Sequence, residues 1–204
     1  MSSTYFSLIV FVVLILNSGF TPVSDWETKR ESGNVKLQYR WVKDQDDQEY
    51  REFRAELTIS SSLPSFLRNI NEEKRIAQWT ARSKACKVYD KTAGGWITYT
   101  LFDIPWPFTQ QDLVLKHTLH YENGNLIVTL KPLPDYLPRQ KDVTRLDEYN
   151  GYWKIIPEGT DHIQVEFYYL STKKPVLPRF IMDPILQNML MESFTKLIAL
   201  SEAS

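Results

Sequence analysis

His117 is the residue whose type and setting could do chemistry in this sequence. The segment 113–119 alternates so that His117 shares one strand face with Leu113, Leu115 and Leu119. A period of two residues therefore places an imidazole on an apolar face that is expected to point inward. A buried polar group needs a hydrogen-bond partner from the protein, from water or from a ligand. Two interpretations stay open: a core histidine satisfied by the protein, or a histidine that contacts a ligand.

The sequence gives little support for any other catalytic or metal-binding site. His117 and His120 are three residues apart on a predicted strand and should point to opposite faces, while His162 begins another strand. The sequence has a single cysteine, Cys86, and no HExxH or CxxC pattern, so we expect no metal site and no cofactor. Ser193 and Lys196 match an SxxK pattern, but the accompanying motifs of such acyl-transfer enzymes are absent.

Composition narrows the class of partner. The 204 residues carry 24 Lys and Arg against 25 Asp and Glu, so no basic field points to nucleic acid. The length suits one domain with a substantial core. The chain is rich in aromatic residues, with 11 Tyr, 10 Phe and 6 Trp. Aromatic side chains favour strands and also line apolar pockets.

The amino-terminal end carries a short apolar run at residues 5–16, which is shorter than a membrane-spanning helix requires. It resembles the apolar core of a secretory signal and is followed by small and turn-forming residues, although no Lys or Arg precedes it. We therefore expect residues 1–24 to be a signal peptide or an uncleaved anchor. The protein would then be exported, periplasmic or secreted, unless the run is a buried or intracellular segment.

The middle of the chain is predicted to form antiparallel strands. Alternation of apolar and polar residues, with turn signals between the runs, predicts strands at 35–43, 51–60, 84–92, 96–102, 113–120, 126–131, 143–156 and 162–171. Ser62 or Ser65 could cap a helix that runs towards Trp79. A long loop with three prolines covers 132–142. Strands followed by segregated helices predict an α+β domain.

The last long segment, 178–199, has the apolar spacing of an amphipathic helix. Pro178 could start this helix, or Asp183 could cap it so that the regular helix begins at Pro184. Three of the four methionines lie here, Met182, Met189 and Met191, and methionine suits adaptable apolar surfaces. An ordinary core helix is the plainer interpretation. Lys173, Lys174 and Arg179 precede or begin the segment and could form a solvated loop or touch anionic lipid head groups.

The order of these pieces resembles a START domain, the StAR-related lipid-transfer module, in its single-domain bacterial form. The resemblance covers about residues 26–200. It rests on Trp26 with the hairpin VKLQYRWV…EYREFRAELTI, on Trp79, and on ITYTLFDIPWPFTQQDLVLKHTL, EYNGYWKIIP and VEFYYLSTKKPVLPRFI. It implies a helix-grip fold, a curved antiparallel sheet around a long C-terminal helix with a lipid-sized tunnel between them. Residues 25–204 would be this lipid-binding domain.

The resemblance also implies roles for residues. The family often places a charged residue inside the tunnel, and His117 takes that position, which would suit a neutral or weakly polar head group. The family commonly has an Arg-Asp pair after the proline corner at 105–107; this sequence has Gln111-Asp112, so the Asp fits and the Arg is absent. The predicted concave wall consists of Ile97, Tyr99, Leu101, Leu115, His117, Val165, Phe167 and Tyr169, and the predicted lid of Met182, Ile185 and Met189.

These observations favour a non-enzymatic protein that binds a lipid or other hydrophobic ligand, for carriage or sensing. Opening of the terminal helix or of the 132–142 loop would admit the ligand. We expect a monomer with transient membrane contact. Two alternatives stay open. One is a helix-grip enzyme, cyclase-like or hydrolase-like, that uses His117 as general base on an apolar substrate. The other is an envelope interaction protein whose cavity is filled by its own side chains.

Overall fold

The computed structural model describes residues 19–104, 109–172 and 178–203. These ranges contain a sheet of 11 strands and a set of helices. The strands are β1 Thr21–Pro22, β2 Glu27–Ser32, β3 Val35–Lys43, β4 Glu49–Ile59, β5 Ser83–Thr92, β6 Gly95–Phe102, β7 Gln110–Glu122, β8 Asn125–Pro132, β9 Val143–Leu146, β10 Asn150–Pro157 and β11 Ile163–Ser171. The helices are α1 Leu63–Asn71, α2 Glu73–Trp79 and α3 Arg179–Glu202. The apolar run 5–16, the proline corner 105–107, and Lys173 and Lys174 lie outside the described residues.

The strands form one curved, unclosed sheet in the order β1-β3-β4-β11-β10-β8-β7-β6-β5, with β2 paired to β3 and β9 to β7. All pairs are antiparallel except β7 and β9, which run parallel. Helix α3 covers one face of this sheet, here called the inner face, and the opposite face is the outer face. The predicted α+β class and the predicted helix-grip fold are both confirmed.

The β7–β8 turn shows how local sequence sets the sheet register. The β7–β8 turn has Asn123 at φ 50° and Gly124 at φ 83°. Two-residue hairpin loops favour positive φ at both central positions, which Asn and Gly adopt at low cost. The predicted hairpin is therefore present, and its register places His117 opposite Leu130.

The predicted strand at 143–156 is two strands. The first, β9, ends at Leu146 and pairs with β7, whereas β10 begins at Asn150 and pairs with β8 and β11. Both pieces are rich in β-forming residues, so propensity alone did not reveal the change of partner. β2 was also missed, because all six of its residues are exposed and no apolar alternation marks it.

The first helical segment begins at the predicted cap. Ser62 is the N-cap of α1, and its hydroxyl accepts a hydrogen bond of 3.3 Å from the backbone N–H of Ser65. Glu72 has an extended backbone and separates α1 from α2. Trp79 ends α2, and its indole N–H donates to the carbonyl of Asn69 at 2.8 Å. This bond holds the two short helices together at one end of the sheet.

Helix α3 begins at Arg179, so the start after Pro178 is the observed one and Pro184 lies inside the helix. Its C-terminal half is buried through Phe194, Leu197 and Ile198. These residues join the main hydrophobic core on the inner face of the sheet. In the described parts of the chain, no helix has the length and apolar character needed to cross a membrane.

Candidate functional site

The inner face of the sheet carries two neighbouring cross-strand rows of side chains. Directly opposite residues of antiparallel strands point to the same face, so the register defines each row. The first, called the His117 row, consists of Trp96, His117, Leu130, Gly151, Tyr169, Phe53 and Tyr39. The second, called the Trp153 row, consists of Leu119, Val128, Trp153, Phe167, Ala55 and Leu37.

His117 is buried on the inner face, as its alternation with leucines predicted. Its side chain makes one hydrogen bond, 2.9 Å between Nε2 and the hydroxyl oxygen of Thr98. The imidazole also stacks on the indole of Trp96, with ring centroids 4.6 Å apart and an interplanar angle of 12°. Thr98 and Trp96 both belong to β6, so the neighbouring strand holds the imidazole in a fixed orientation.

Burial controls the charge of His117. Removal from water lowers the pKa of the imidazole from 6.5 to about 3, because the charged form loses its hydration. No carboxylate among the described residues pairs with the ring to oppose this effect. The side chain is therefore neutral at neutral pH, and its second nitrogen is a donor or an acceptor according to the tautomer.

The His117 row contains buried polar atoms that lack a protein partner. Within the described ranges, Nδ1 of His117 and Nε1 of Trp96 are buried and make no hydrogen bond. Buried polar atoms in native proteins are usually satisfied, so each such atom calls for an explanation. Both side chains lie side by side on the face that α3 covers. The pair is able to hydrogen-bond a polar group that enters between sheet and helix.

Tyr149 fills the middle of the His117 row, where Gly151 offers no side chain. A Cβ atom on Gly151 would lie 3.2 Å from Cε1 of Tyr149 and 2.6 Å from the carbonyl oxygen of Tyr168. The Tyr149 ring stacks on Tyr169 at 5.5 Å and 5°, and Tyr169 stacks on Phe53 at 4.9 Å and 4°. Burial raises the pKa of both tyrosine hydroxyls, so both are neutral donors at neutral pH.

The Trp153 row is closed by the C-terminal half of α3. The ring of Phe194 lies 5.3 Å from that of Phe167 and 6.2 Å from that of Trp153. Phe66 and Trp79 also make edge contacts with Trp153, with ring centroids 6.0 and 6.1 Å away. Phe167, predicted as a wall residue, is therefore packed under the helix. Edge and tilted aromatic contacts of this kind add to the free energy of burial.

The N-terminal half of α3 is packed much less completely. Phe180 is 78% exposed, and Ile181 and Ile185 are each 39% exposed. Met182 and Met189 are half-buried and do not belong to the main core cluster. Leu186 and Leu190 do pack against that core. The predicted lid residues thus lie on the helix half that covers the sheet loosely, with Ile185 the most exposed of the three.

An ion pair ties this loose half to the sheet. Nη1 of Arg51, on β4, donates to Oδ2 of Asp183 at 2.6 Å, and Nη2 donates to Oδ1. Arg51 is in register with Trp41 and lies on the inner face, where its guanidinium sits 4.5 Å from the centroid of Tyr39. Its remaining nitrogen, Nε, is buried and has no partner among the described residues.

Three predicted wall residues lie on the outer face, so that part of the predicted wall is wrong. Ile97 and Tyr99 form a separate small core with Val114, and Leu101 packs against it. The register pairs Trp96 with His117 and Thr98 with Leu115, so the inner side chains of β6 are Trp96, Thr98 and Thr100. Nearly all of β6 is buried on both faces. Alternation of apolar residues could not indicate which face α3 covers.

The 132–142 loop packs on the outer face and is held there by Arg145. Leu133 and Leu137 of this loop cover the small core around Tyr99. Arg145, on β9, donates to both carboxylate oxygens of Asp112 at 2.6 and 2.8 Å and to the carbonyls of Pro134, Leu137 and Pro138. The arginine missing beside Asp112 in sequence is thus supplied by β9. This loop is pinned and does not lie over the inner face.

The remaining sequence candidates have structural partners or are exposed. Ser193 accepts a hydrogen bond of 3.0 Å from the backbone N–H of Ala81, and Lys196 pairs with Glu192 at 2.6 Å. His120 and His162 are exposed. In the described part of the chain, no three His, Cys, Asp or Glu side chains are placed to share a metal ion.

Sequence reasoning missed Trp96, Arg51 and Tyr149, and it assigned Asp183 only as a possible helix cap, whereas the structure pairs it with Arg51. Trp96 was assigned to the wrong face of β6 for the reason given above. Arg51 lies on the apolar face of an alternating strand, two residues before Phe53, and this charged residue on an apolar face was the available signal. Tyr149 precedes β10, where alternation does not apply.

No protein-family model matches the chain. An uncharacterized protein of Pseudomonas aeruginosa is 24% identical over 151 residues, which is 74% of this chain and 73% of that protein.

Solved structures match over most of the chain. A StAR-related lipid transfer protein from Xanthomonas axonopodis aligns with a TM-score of 0.74 and 20% identity, over 85% of this chain and 97% of that one. Human StAR-related lipid transfer protein 5 aligns with a TM-score of 0.69 and 12% identity, over 89% and 88%. The Zhui aromatase/cyclase from Streptomyces aligns with a TM-score of 0.54 and 7% identity, over 75% and 94%. This chain therefore has the helix-grip fold of the StAR-related lipid transfer proteins, a fold that an aromatase/cyclase shares.

Proposed function

We propose that this protein binds a lipid or other hydrophobic ligand between the inner face of its sheet and the N-terminal half of α3. The unequal packing of α3 carries the proposal. Phe194 closes the Trp153 row, whereas Ile181 and Ile185, in the half of α3 that Arg51 ties to the sheet, remain 39% exposed. Apolar side chains that the protein itself leaves partly exposed are an available surface for an apolar ligand. The similarity in fold to two StAR-related lipid transfer proteins supports this proposal.

Affinity would come chiefly from burial of the ligand's apolar carbons. Each CH₂ group removed from water contributes about 0.8 kcal/mol before the cost of association. The half-buried methionines Met182 and Met189 offer flexible side chains that can adapt to ligands of different shape. Tyr169 and Leu115 contribute buried apolar surface on the sheet side.

His117 would orient the ligand through its unpartnered Nδ1 atom. A neutral imidazole suits an uncharged polar group such as a hydroxyl or a carbonyl. The indole N–H of Trp96 offers a second donor beside it. A small number of placed polar groups within an apolar site is the usual arrangement of small-molecule sites.

Ligand entry would occur by opening of the first turns of α3. This half has few buried side chains, and Pro184 removes one backbone N–H donor from the helix. The 132–142 loop does not serve as the gate, because Arg145 pins it to the outer face. Lids of this kind are drawn from the less stable parts of a fold.

The proposal extends to carriage or sensing by an exported monomer that touches a membrane transiently. The apolar run at 5–16 supports export. Amino-terminal sequencing of the protein from fractionated cells tests this part, since cleavage near residue 24 would remove the run. An intact N-terminus in the cytoplasmic fraction would contradict export.

An enzymatic role is less well supported by the chemistry of His117. An efficient general base has a pKa near the working pH, whereas the pKa of His117 is lowered to about 3. Thr98, its only hydrogen-bond partner among the described residues, does not raise its basicity as a carboxylate would. An aromatase/cyclase shares this fold, so an enzymatic role stays the second candidate function.

Native mass spectrometry of the full-length chain, purified without detergent, tests the proposed function. We expect a stoichiometric adduct that organic extraction recovers as a lipid. The variant Met189→Trp should lose the adduct, because an indole would compete with the ligand for the proposed site under α3. Thr195→Trp is the matched control, since Thr195 is exposed on the same helix.

Equal adduct levels in folded wild type and Met189→Trp would contradict the proposed location. An apo mass together with no binding from a lipid panel would contradict binding itself and favour a cavity filled by the protein's own side chains.

A further inference from the structure

The start of α3 holds a charged cluster that hydrophobic binding does not use. Arg51 is 5% exposed, and its two Nη atoms donate to the carboxylate of Asp183. Its Nε atom is buried without a partner in the described residues. One N–H of a buried guanidinium is therefore available on the inner face, and an unsatisfied charged donor is costly to bury.

A second guanidinium lies beside the first. Arg179 sits over the ring of Trp41, 4.8 Å from its centroid, and forms no ion pair with another described residue. Burial and repulsion from Arg51 lower the pKa of Arg179, although an arginine stays charged at neutral pH. Among the described residues the cluster thus holds two guanidiniums and one carboxylate, that of Asp183, which is paired with Arg51. The cluster carries one uncompensated positive charge.

The surroundings of the cluster strengthen its attraction for an anion. The guanidinium of Arg51 lies 5.1 Å from the centroid of Phe53 and 5.5 Å from that of Trp41, so aromatic rings limit screening by water. Helix α3 starts here with no capping side chain and no acidic residue in its first turn. The positive end of its dipole is therefore not offset by a side chain of that turn.

We propose that Arg51 and Arg179 form a subsite for a single anionic head group, a carboxylate or a phosphate, on an amphiphile whose tail lies along the inner face. This inference rests on the proposed function and deepens it. The anion would accept hydrogen bonds from Nε of Arg51 and from the guanidinium of Arg179. It would neutralise the uncompensated charge, and Asp183 would remain paired with the Nη atoms of Arg51.

The position of the subsite favours a long tail. Arg51 lies on β4 and His117 on β7, and β11, β10 and β8 separate the two strands. Strands lie about 4.8 Å apart, so the separation along the sheet is roughly 19 Å. A long acyl chain can run from one polar group to the other, whereas a short acid would leave most of the inner face uncovered.

Charge also sets the expected specificity. A cationic head group would face two guanidiniums and be repelled, and a neutral one would leave the extra charge unpaired. An acid and its neutral counterpart with the same tail therefore separate this inference from simple hydrophobic binding.

The experiment uses the full-length chain and two pairs of probes below their critical micelle concentrations. Hexadecanoic acid is compared with its methyl ester, and 16-carbon lysophosphatidic acid with the corresponding monoacylglycerol. Titration calorimetry should show at least one acidic probe bound about tenfold or more tightly than its neutral counterpart. A preference in the first pair alone identifies a free carboxylate as the head group, and in the second alone a phosphate.

Variants of the charged cluster test whether it causes the preference for the acidic probes. Arg179→Gln should reduce the acid-to-neutral ratio towards one, and Arg179→Lys should retain most of it. Asp183→Asn should increase the ratio, because a competing carboxylate charge is removed. Arg30→Gln is the matched control: Arg30 donates to Asn188 of the same helix at 2.6 Å but is exposed on β2.

Equal binding of acidic and neutral probes by the wild type would overturn this inference and leave the proposed function standing. A ratio that stays unchanged in both Arg179→Gln and Asp183→Asn would also overturn it. Failure to bind any of the four probes would contradict the proposed function instead.

Discussion

The two halves of α3 differ in how they meet the sheet. The C-terminal half buries Phe194, Leu197 and Ile198, and its polar groups are satisfied: Ser201 accepts from Asn69 at 2.9 Å, and Ser193 from Ala81 at 3.0 Å. The N-terminal half leaves Ile181 and Ile185 partly exposed and is tied to the sheet through Asp183.

The two rows of the sheet differ in their polar atoms. Both rows carry buried aromatic rings, but buried nitrogens of His117 and Trp96 in the His117 row lack partners among the described residues. The C-terminal half of α3 therefore contributes more to the core than the N-terminal half, which is the half that we propose to cover the ligand.

The largest effect should come from truncation in the closed half. Phe194→Ala removes a buried ring that contacts Phe167 and Trp153, and we expect a loss of about 3–5 kcal/mol in the free energy of unfolding. Met182→Ala, in the loose half, should cost less than about 1 kcal/mol because Met182 is outside the main core cluster. Urea denaturation of both variants measures the difference. Similar losses for the two would remove the distinction between the halves.

An intermediate effect should appear as pH dependence from His117. Its pKa is about 3 in the fold and 6.5 in the unfolded chain, so below pH 6.5 only the unfolded chain gains a proton. Stability present above pH 6.5 is then lost as pH falls towards 3, at about 1.4 kcal/mol per unit. At pH 5 this amounts to about 2 kcal/mol.

The variant His117→Phe isolates that contribution. Phenylalanine keeps a ring that can stack on Trp96 and has no group to protonate. Between pH 7 and pH 5 the free energy of unfolding of the variant should therefore fall by about 2 kcal/mol less than that of the wild type. Urea denaturation at the two pH values gives the comparison, and all other titrating groups are common to both proteins. Identical pH dependence would show that the imidazole is not buried in its neutral form.

The smallest effect on global stability should come from Pro184→Ala. Alanine restores the backbone N–H that proline lacks, so the N-terminal half of α3 can complete its helical hydrogen bonds as the C-terminal half does. We expect a change below about 1 kcal/mol in the free energy of unfolding but roughly tenfold slower amide exchange in residues 180–188. Lys196→Ala, an exposed change in the closed half, is the control. Unchanged exchange with Pro184→Ala would contradict a locally opening N-terminal half.

Local sequence determined most of the secondary structure and the burial of His117. Alternation placed β3 at Val35–Lys43, the Asn123–Gly124 turn set the β7–β8 register, and leucines on both sides of His117 predicted an inward imidazole. The spacing of apolar residues predicted the long helix α3, whereas the helix-grip fold was implied by the resemblance of the chain's motifs and their order to a START domain. The strands, the turn and the helix depend on residues a few positions apart, which periodicity and turn chemistry report directly.

Only the tertiary structure decided which side chains share a face and a partner. The strand register puts Tyr99 and Leu101 on the outer face, where the loop held by Arg145 buries them. Both faces of β6 are therefore buried, and alternation cannot distinguish one from the other. Arg51 and Asp183 are 132 residues apart in sequence, and Arg145 and Asp112 are 33 apart. Such pairs depend on strand order and on where α3 lies, and no local pattern encodes either. The unequal packing of the two halves of α3 has the same origin, since it follows from what the sheet presents beneath each half.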